Sequence, residues 1–304
     1  MPINSPEIRL SIALVTRNRP ESLLRCLKSW RSQTVSPFEI VVSDDSDQTQ
    51  ARQIEELAKQ FNCVYTTGPR RGLYANRNHA SLTCRGTHIL SADDDHTHPQ
   101  TYVEKILEVV ATDPQRVWIF PELNYDDPPN TPLSCPAELH RSGCGCTPQD
   151  PSNCSAIADG SSVYPRQIFD RGLRYDETYS FGPLWYLWGK VLRKYGWRIS
   201  FSDATFLWHY ALSENRYSDQ KQLKALLECT MYVLFVNALW VSPSIENITW
   251  SILFLARRTI FQDTMLGYKV KVRLGVISVF RLLIRAWQAK NQFNFDKDLT
   301  FKPY

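Results

Sequence analysis

His88-Ile-Leu-Ser-Ala-Asp-Asp-Asp-His96 decides how this chain is read. A short apolar run enters the stretch and three consecutive carboxylates leave it. The run has the length and composition of a buried strand. Three acids at a strand end repel one another and are costly to place together unless a cation sits among them. Hard oxygen ligands suit Mg²⁺ or Mn²⁺, and those ions suit diphosphates. The stretch points to a metal-dependent site for a nucleotide diphosphate. A solvated acidic turn is the competing reading.

Outward from this stretch, strands and helices alternate. Upstream, residues 9–15 (RLSIALV) read as a buried strand, and Pro20 suits the first turn of a helix whose apolar face is Leu23, Leu27 and Trp30. Residues 38–43 (FEIVVS) form a second strand. Asp44 to Asp47 follow it, and Asp47 is placed to cap a helix carrying Ile54, Leu57, Ala58 and Phe61. A weak strand over 63–66, a turn at 68–72 and a polar helix over 73–84 lead back to the acids. Downstream come a helix with Val103, Ile106, Leu107 and Val110 on one stripe, and a strand at 117–120. This alternation predicts an α/β fold with a mainly parallel sheet flanked by helices. Ligands of such sheets sit at the carboxyl ends of strands. The polar loops 16–19, 44–47 and 93–95 all fall there.

Residues 124–153 break the pattern with Pro, Gly, Cys and Asp. A loop this long in a compact domain is functional or disordered. Four of the eight cysteines lie in or next to it: Cys135, Cys144, Cys146 and Cys154. Their spacing lacks the paired C-x2-C knuckles of common zinc folds, which leaves reduced thiols, a structural zinc or disulfides open. Further strands are expected at 157–164 and 199–206, with a helix at 186–195 ended by Gly196.

From residue 219 the composition changes to long apolar runs punctuated by Arg257, Arg258, Lys269, Lys271, Arg273, Arg281 and Arg285. Such helices either pack on the core with their arginines solvated or dock in an anionic membrane surface. The chain has 304 residues, 43% of them hydrophobic, enough for one large domain with an appendage. Its net charge of +4 is too small to argue for nucleic acid. The opening residues do not read as a secretory signal, and Met231 to Val241, the longest apolar run, is about half a bilayer crossing. The expectation is a cytoplasmic protein, free or peripheral on the inner face of the membrane.

Four motifs then occur in order: Val15-Thr16-Arg17-Asn18-Arg19, residues 41–47 (VVSDDSD), residues 72–78 (GLYANRN), and Ala92-Asp93-Asp94-Asp95. Together they resemble the nucleotide-binding half of the large inverting family of GT-A-fold, family-2-type glycosyltransferases, the last being that family's DxD. The resemblance implies a GT-A-like domain over 1–215, with a nucleotide-binding half (1–125) and an acceptor half (126–215). A helical C-terminal extension covers 216–304. It implies that Thr16, Arg19 and Asp44 hold the nucleoside, with Asp45 an alternative to Asp44. Asn76 or Arg77 would lie near the diphosphate, Asp93 would face ribose or sugar, Asp94 would belong to the same nucleotide-sugar-binding set, and Asp95 would bind Mg²⁺ or Mn²⁺. His209 resembles the family's metal-side histidine, and His96 and His98 are further candidates. The implied reaction is transfer of a sugar from a nucleotide-diphosphate sugar, a UDP-sugar first, to a hydroxyl of a glycan or lipid-linked acceptor, with inversion.

One departure concerns the segment Ala75-Asn76-Arg77-Asn78, where the family commonly has Ala-Arg-Asn. The second concerns the general base. The family's Glu-Asp pair falls here on Leu184 and Trp185, neither of which takes a proton. Asp159, Asp176 and Glu177 are the nearby carboxylates, with Asp159 first. Trp185 and Trp188 read either as a sugar-stacking wall or as buried packing. Two rival functions remain: a nucleotide-sugar-binding protein that has lost its base, and a sugar-phosphate nucleotidyltransferase. The absence of glycine from residues 16–20 disfavours the latter.

Overall fold

A computed structural model describes residues 7–126, 129–133, 138–140, 145–210, 220–261, 263–264 and 271–292. The first half runs β1 (Leu10–Thr16), α1 (Pro20–Arg31), β2 (Glu39–Asp44), α2 (Gln48–Gln60), β3 (Val64–Thr67), α3 (Leu73–Thr83), β4 (His88–Asp93), β5 (His96–Thr97), α4 (Tyr102–Thr112), β6 (Val117–Ile119) and β7 (Glu122–Asn124). Then come β8 (Pro132–Leu133), β9 (Glu138–Leu139), β10 (Gly145–Cys146), β11 (Ser162–Pro165), α5 (Gln167–Asp170), α6 (Leu184–Lys194), β12 (Ile199–Phe201) and β13 (Leu207–His209). The chain continues through α7 (Gln220–Val236), a π-helical turn (Asn237–Val241), α8 (Ile245–Ile260), β14 (Asp263–Thr264), β15 (Lys271–Val272) and α9 (Val276–Gln288).

The main sheet has the order β12-β6-β11-β4-β1-β2-β3. Every pairing in it is parallel except those of β11, which runs against both β4 and β6. The mainly parallel α/β sheet expected from the alternation is therefore present. The period of two along β1 explains why it is central. Leu10, Ile12 and Leu14 enter one apolar cluster with α1, α2 and α4. Ala13 and Val15 enter the other, with α3, α6, α7 and α9. Register then aligns the chemistry: Val15 pairs with Asp93 and Thr16 with Asp44, so three carboxyl ends meet at one edge.

Helix α3 looked polar because it is polar and buried. Asn76 holds Ser43, Arg77 holds Ser91 and two carboxylates, and Asn78 holds the backbone of Tyr175. Polar groups tolerate burial when bonded in this way. Asp47 caps α2 by accepting from the Gln50 N–H at 3.3 Å.

The helical C-terminal region does not hang free. Helix α7 packs on α6, α8 and α9, and its side chains join the same apolar cluster as the second face of the sheet. Residues Gln220–Val241 form one 22-residue helix, long and apolar enough by composition to cross a membrane. That corrects the shorter run expected from sequence, and most of this helix is buried within the protein. Trp188 is buried against Tyr175 and Phe169, so it is packing rather than a sugar wall. Of the cysteine cluster, Cys135 and Cys144 lie outside the described residues. The Cys146 and Cys154 thiols are free, each facing a backbone carbonyl, of Glu138 and Pro151.

Candidate active site

A cavity of about 200 Å³ opens at the carboxyl ends of β1, β2 and β4. Its lining includes Thr16, Arg17, Arg19, Asp45, Asn76 and Asp93, closed by Ser180 and Phe181 from the second half of the chain. The loop after β1 is pinned to the loop after β2. The Asn18 N–H donates to Ser46 Oγ at 2.6 Å, and the Asp47 N–H donates to Asn18 Oδ1 at 3.0 Å. Asn18 itself adopts a positive φ of 55°, which asparagine tolerates better than most residues.

The first two acids after the sheet divide their work. Asp44 is buried and spent internally, accepting from the Ser46 N–H at 2.8 Å and the Tyr65 hydroxyl at 3.2 Å. Asp45 lines the cavity, accepts from the Arg70 N–H, and is pushed above the ordinary carboxylate range by burial. Asn76 lines the cavity too, but its amide exchanges hydrogen bonds with Ser43, donating to the carbonyl at 3.0 Å and accepting from the hydroxyl.

Two arginines hold the acid triplet. Arg19 lies 2.5 Å from Asp94 and 3.2 Å from Asp95, and Thr16 Oγ1 donates to Asp94 at 2.7 Å. Arg77, 1% exposed, donates to both oxygens of Asp93, to Ser91 Oγ at 2.7 Å and to Asp159 at 3.0 Å. The acids therefore do not depend on a metal alone, as the sequence suggested; guanidinium groups offset part of their repulsion. Among the described residues, these two groups meet four carboxylates, Asp93, Asp94, Asp95 and Asp159.

Candidate donors for a divalent ion are set by the small sheet β5-β13-β7-β8. Antiparallel pairing makes His209 the direct cross-strand partner of His96, next to Asp95. One ligand atom each from Asp95, His96 and His209 lie within 4.8 Å of one another. Both ring nitrogens of His96 and Nε2 of His209 are buried with no hydrogen-bond partner among the described residues. Unpaired buried imidazole nitrogens cost free energy unless something binds them. Burial, then the neighbouring His209 ring, pushes His96 down to about 4, so it is neutral and its lone pair is available. At His209 burial pulls the other way from Glu122, 3.5 Å from Nδ1. The carboxylate prevails and holds His209 above its ordinary value. Glu122 is thus the partner that orients the His209 imidazole. The residues fit a divalent cation. His98, by contrast, is packed between Trp30 and Tyr102 with Ser29 on its backbone N–H and near Nδ1. It takes no part in the cluster.

The base candidates separate. Asp159 is brought to the triplet by Arg77, and burial pushes it up to about 7 although Arg77 pulls it down. Its Oδ1 is buried without a hydrogen-bond partner among the described residues. Asp176 and Glu177 line a different cavity, with Asp176 accepting from Tyr232 and Glu177 held by Asn78 and Arg71. Leu184 is fully buried and Trp185 partly so at the start of α6, and neither brings a carboxylate.

Glu122, Ser180 and Phe181 carried no sequence signal; pairing of distant strands and the strap over the cavity place them. That strap explains Gly72, whose φ is +108°. A Cβ there would sit 2.4 Å from the Ser180 backbone, where Leu73 N–H donates to the Ser180 carbonyl at 2.7 Å. Gly72→Ala is expected to cost about 1–3 kcal/mol through the strained dihedral and the displaced strap. A thermal melt with and without nucleotide checks it, and an unchanged melt would remove the strap from the site.

The fold and the acidic corner define the class: an α/β domain of the GT-A type, with its ligand cavity at the strand carboxyl ends. Residues 11–173 match the family model described as glycosyl transferase family 2, and the chain belongs to that family. A relative from Haemophilus influenzae named an uncharacterized glycosyltransferase is 30% identical over 112 residues, 36% of this chain and 37% of that one. The S. aureus TarS structure superposes with a TM-score of 0.57 at 17% identity, covering 96% of this chain and 50% of TarS. TarS 1–349 in complex with UDP-GlcNAc gives 0.55 at 14% identity, covering 82% and 80%. At these identities the structural likeness is one of fold. The chain spans 37% of the H. influenzae relative and half of the longer TarS chain.

Proposed function

We propose that this protein transfers a sugar from a nucleotide-diphosphate sugar, a UDP-sugar in the first instance, to a hydroxyl of a glycan or lipid-linked acceptor, with inversion and with Mn²⁺ or Mg²⁺. The observation that carries the reading is the convergence of Asp95, His96 and His209 beside a cavity lined by Thr16, Arg17, Arg19, Asp45 and Asp93. UDP and UDP-GlcNAc are the ligands of the TarS complexes, which supports a uridine donor here.

In this reading Asp45 takes the nucleoside edge and Arg17 and Arg19 face the phosphates. Asp95, His96 and His209 hold the metal. The metal, when bound, screens the charge that develops on the leaving diphosphate. Asp159 removes the acceptor's proton. One of its oxygens is anchored by Arg77, the other has no partner among the described residues, and its pKa lies near working pH, as a general base requires. The protein works in the cytoplasm or on the inner face of the membrane.

A thermal-shift screen of nucleotide sugars with and without Mn²⁺ tests the donor. Saturation at a hundred times Kd stabilises by about 2.7 kcal/mol, and no metal-dependent shift with any uridine sugar would end the proposal. Turnover is expected to rise as pH passes through about 7 and to level above it, because only ionised Asp159 accepts a proton. Asp159→Asn is expected to lose roughly 10²–10⁴-fold in kcat with donor affinity within a few-fold. Retained turnover would show that Asp159 is not the base. The apolar start of α6 favours a second reading, a nucleotide-sugar-binding protein without catalysis; donor binding with no transfer or hydrolysis in the wild type would establish it.

A further inference from the structure

Helices α8 and α9 are each apolar on two faces. Helix α9 buries Leu282, Ala286 and Ala289, and it packs on α7. Nearly opposite, Val276, Ile277, Phe280, Leu283, Ile284 and Trp287 are exposed, Ile277 by 76% and Phe280 by 65%. The spacing i, i+4, i+7, i+8, i+11 from Val276 makes one continuous stripe. Helix α8 repeats the arrangement: Ser251 is buried, while Ile245, Ile252, Leu253 and Ile260 are exposed on the far side. A solvent-facing stripe of this kind on two helices marks an interaction surface.

The charge around it selects the partner. Residues 245–292 hold eight basic residues against two acidic ones, more net positive charge than the whole chain's +4. Helix α9 contains no acidic residue at all. On a helical projection Arg281 borders one side of its stripe and Lys290 lies near the other, both exposed. Two copies of this surface meeting face to face would oppose like charges around the contact. An anionic bilayer offers phosphates to the rim and hydrocarbon to the stripe.

We propose that the outer faces of α8 and α9 dock in the plane of an anionic lipid bilayer, with Phe280, Ile277 and Trp287 entering the acyl boundary and the flanking arginines and lysines meeting headgroups. The surface stands on its own observations, independent of the donor site. Docked there, the site would meet acceptors at the membrane surface.

Flotation of the full chain with vesicles tests this. Binding is expected to phosphatidylcholine vesicles containing phosphatidylglycerol, at least tenfold stronger than to phosphatidylcholine alone, and weakened by salt. The Phe280→Glu, Ile277→Glu double variant, altered only at exposed positions, should lose at least tenfold in partitioning while its melting temperature stays put. Arg281→Glu should lose several-fold. Absence of flotation with the anionic vesicles, or equal flotation with both kinds, would overturn the proposal. So would a concentration-dependent dimer that Phe280→Glu abolishes, which would give the surface to a second copy.

Discussion

Arg77→Met is expected to lower the melting temperature by roughly 5–8 °C, the largest stability effect of any single polar substitution in the site. The guanidinium is 1% exposed and bridges Ser91, Asp93 and Asp159 from α3 to β4 and the segment before β11. Removing one partner of a buried pair leaves charge uncompensated, at a cost of about 3–5 kcal/mol. Against a total stability of about 5–15 kcal/mol, that is a large share. Arg77→Lys should recover little, because an ammonium is a point charge where a planar fork spans several acceptors.

The loss carries a pH signature. Without Arg77, Asp159, which burial already holds up at about 7, loses the charge that pulls it down, so its native pKa rises further. The variant's native state then binds more protons than the wild type's from about pH 7 up to that raised value, and its stability falls relative to wild type as pH rises through that window. The gap between wild type and variant should be widest near pH 8 and narrower near pH 5, read by thermal melts across the range. A gap that stays constant with pH would mean that packing, not charge, was lost.

Asp95→Asn is expected to abolish metal-dependent transfer, by about 10³-fold, while leaving the fold intact. The amide keeps the volume but loses the charge among His96, His209 and Arg19. Lewis-acid stabilisation of a leaving group amounts to several kcal/mol, and about 1.4 kcal/mol is tenfold in rate. Manganese should no longer enhance stabilisation by a uridine sugar. His98→Gln is the contrast: that ring lies against Trp30 and Tyr102, so the substitution should disturb packing without touching metal dependence. Full manganese-dependent turnover in Asp95→Asn would place the metal elsewhere.

Much of the nucleotide half was legible before any coordinates. Strands such as Leu10–Thr16 and His88–Asp93 announce themselves because central parallel strands bury both faces and read as apolar runs. Asp47 was readable as a cap for the same local reason. The choice between Asp44 and Asp45 was not legible, because it depends on Tyr65 from β3 taking the first and Arg70 the second. Nor was the division of labour between the arginines. Arg77 read as one of two residues near the diphosphate, and burial within α3 makes it the counterion of Asp93 and Asp159.

The sequence by itself determined the layered α/β plan and the delivery of Thr16, Asp44 and Asp93 to strand ends. Those depend on period, turn chemistry and short-range spacing, all local properties of the chain. Only the tertiary structure decided which carboxylate stands beside Asp93, which imidazoles meet Asp95, and what closes the cavity. His96 and His209 become neighbours through the pairing of two short strands distant in sequence, and Ser180 reaches Gly72 across the two halves. Such contacts are set by how the layers pack, a property no stretch of residues carries alone.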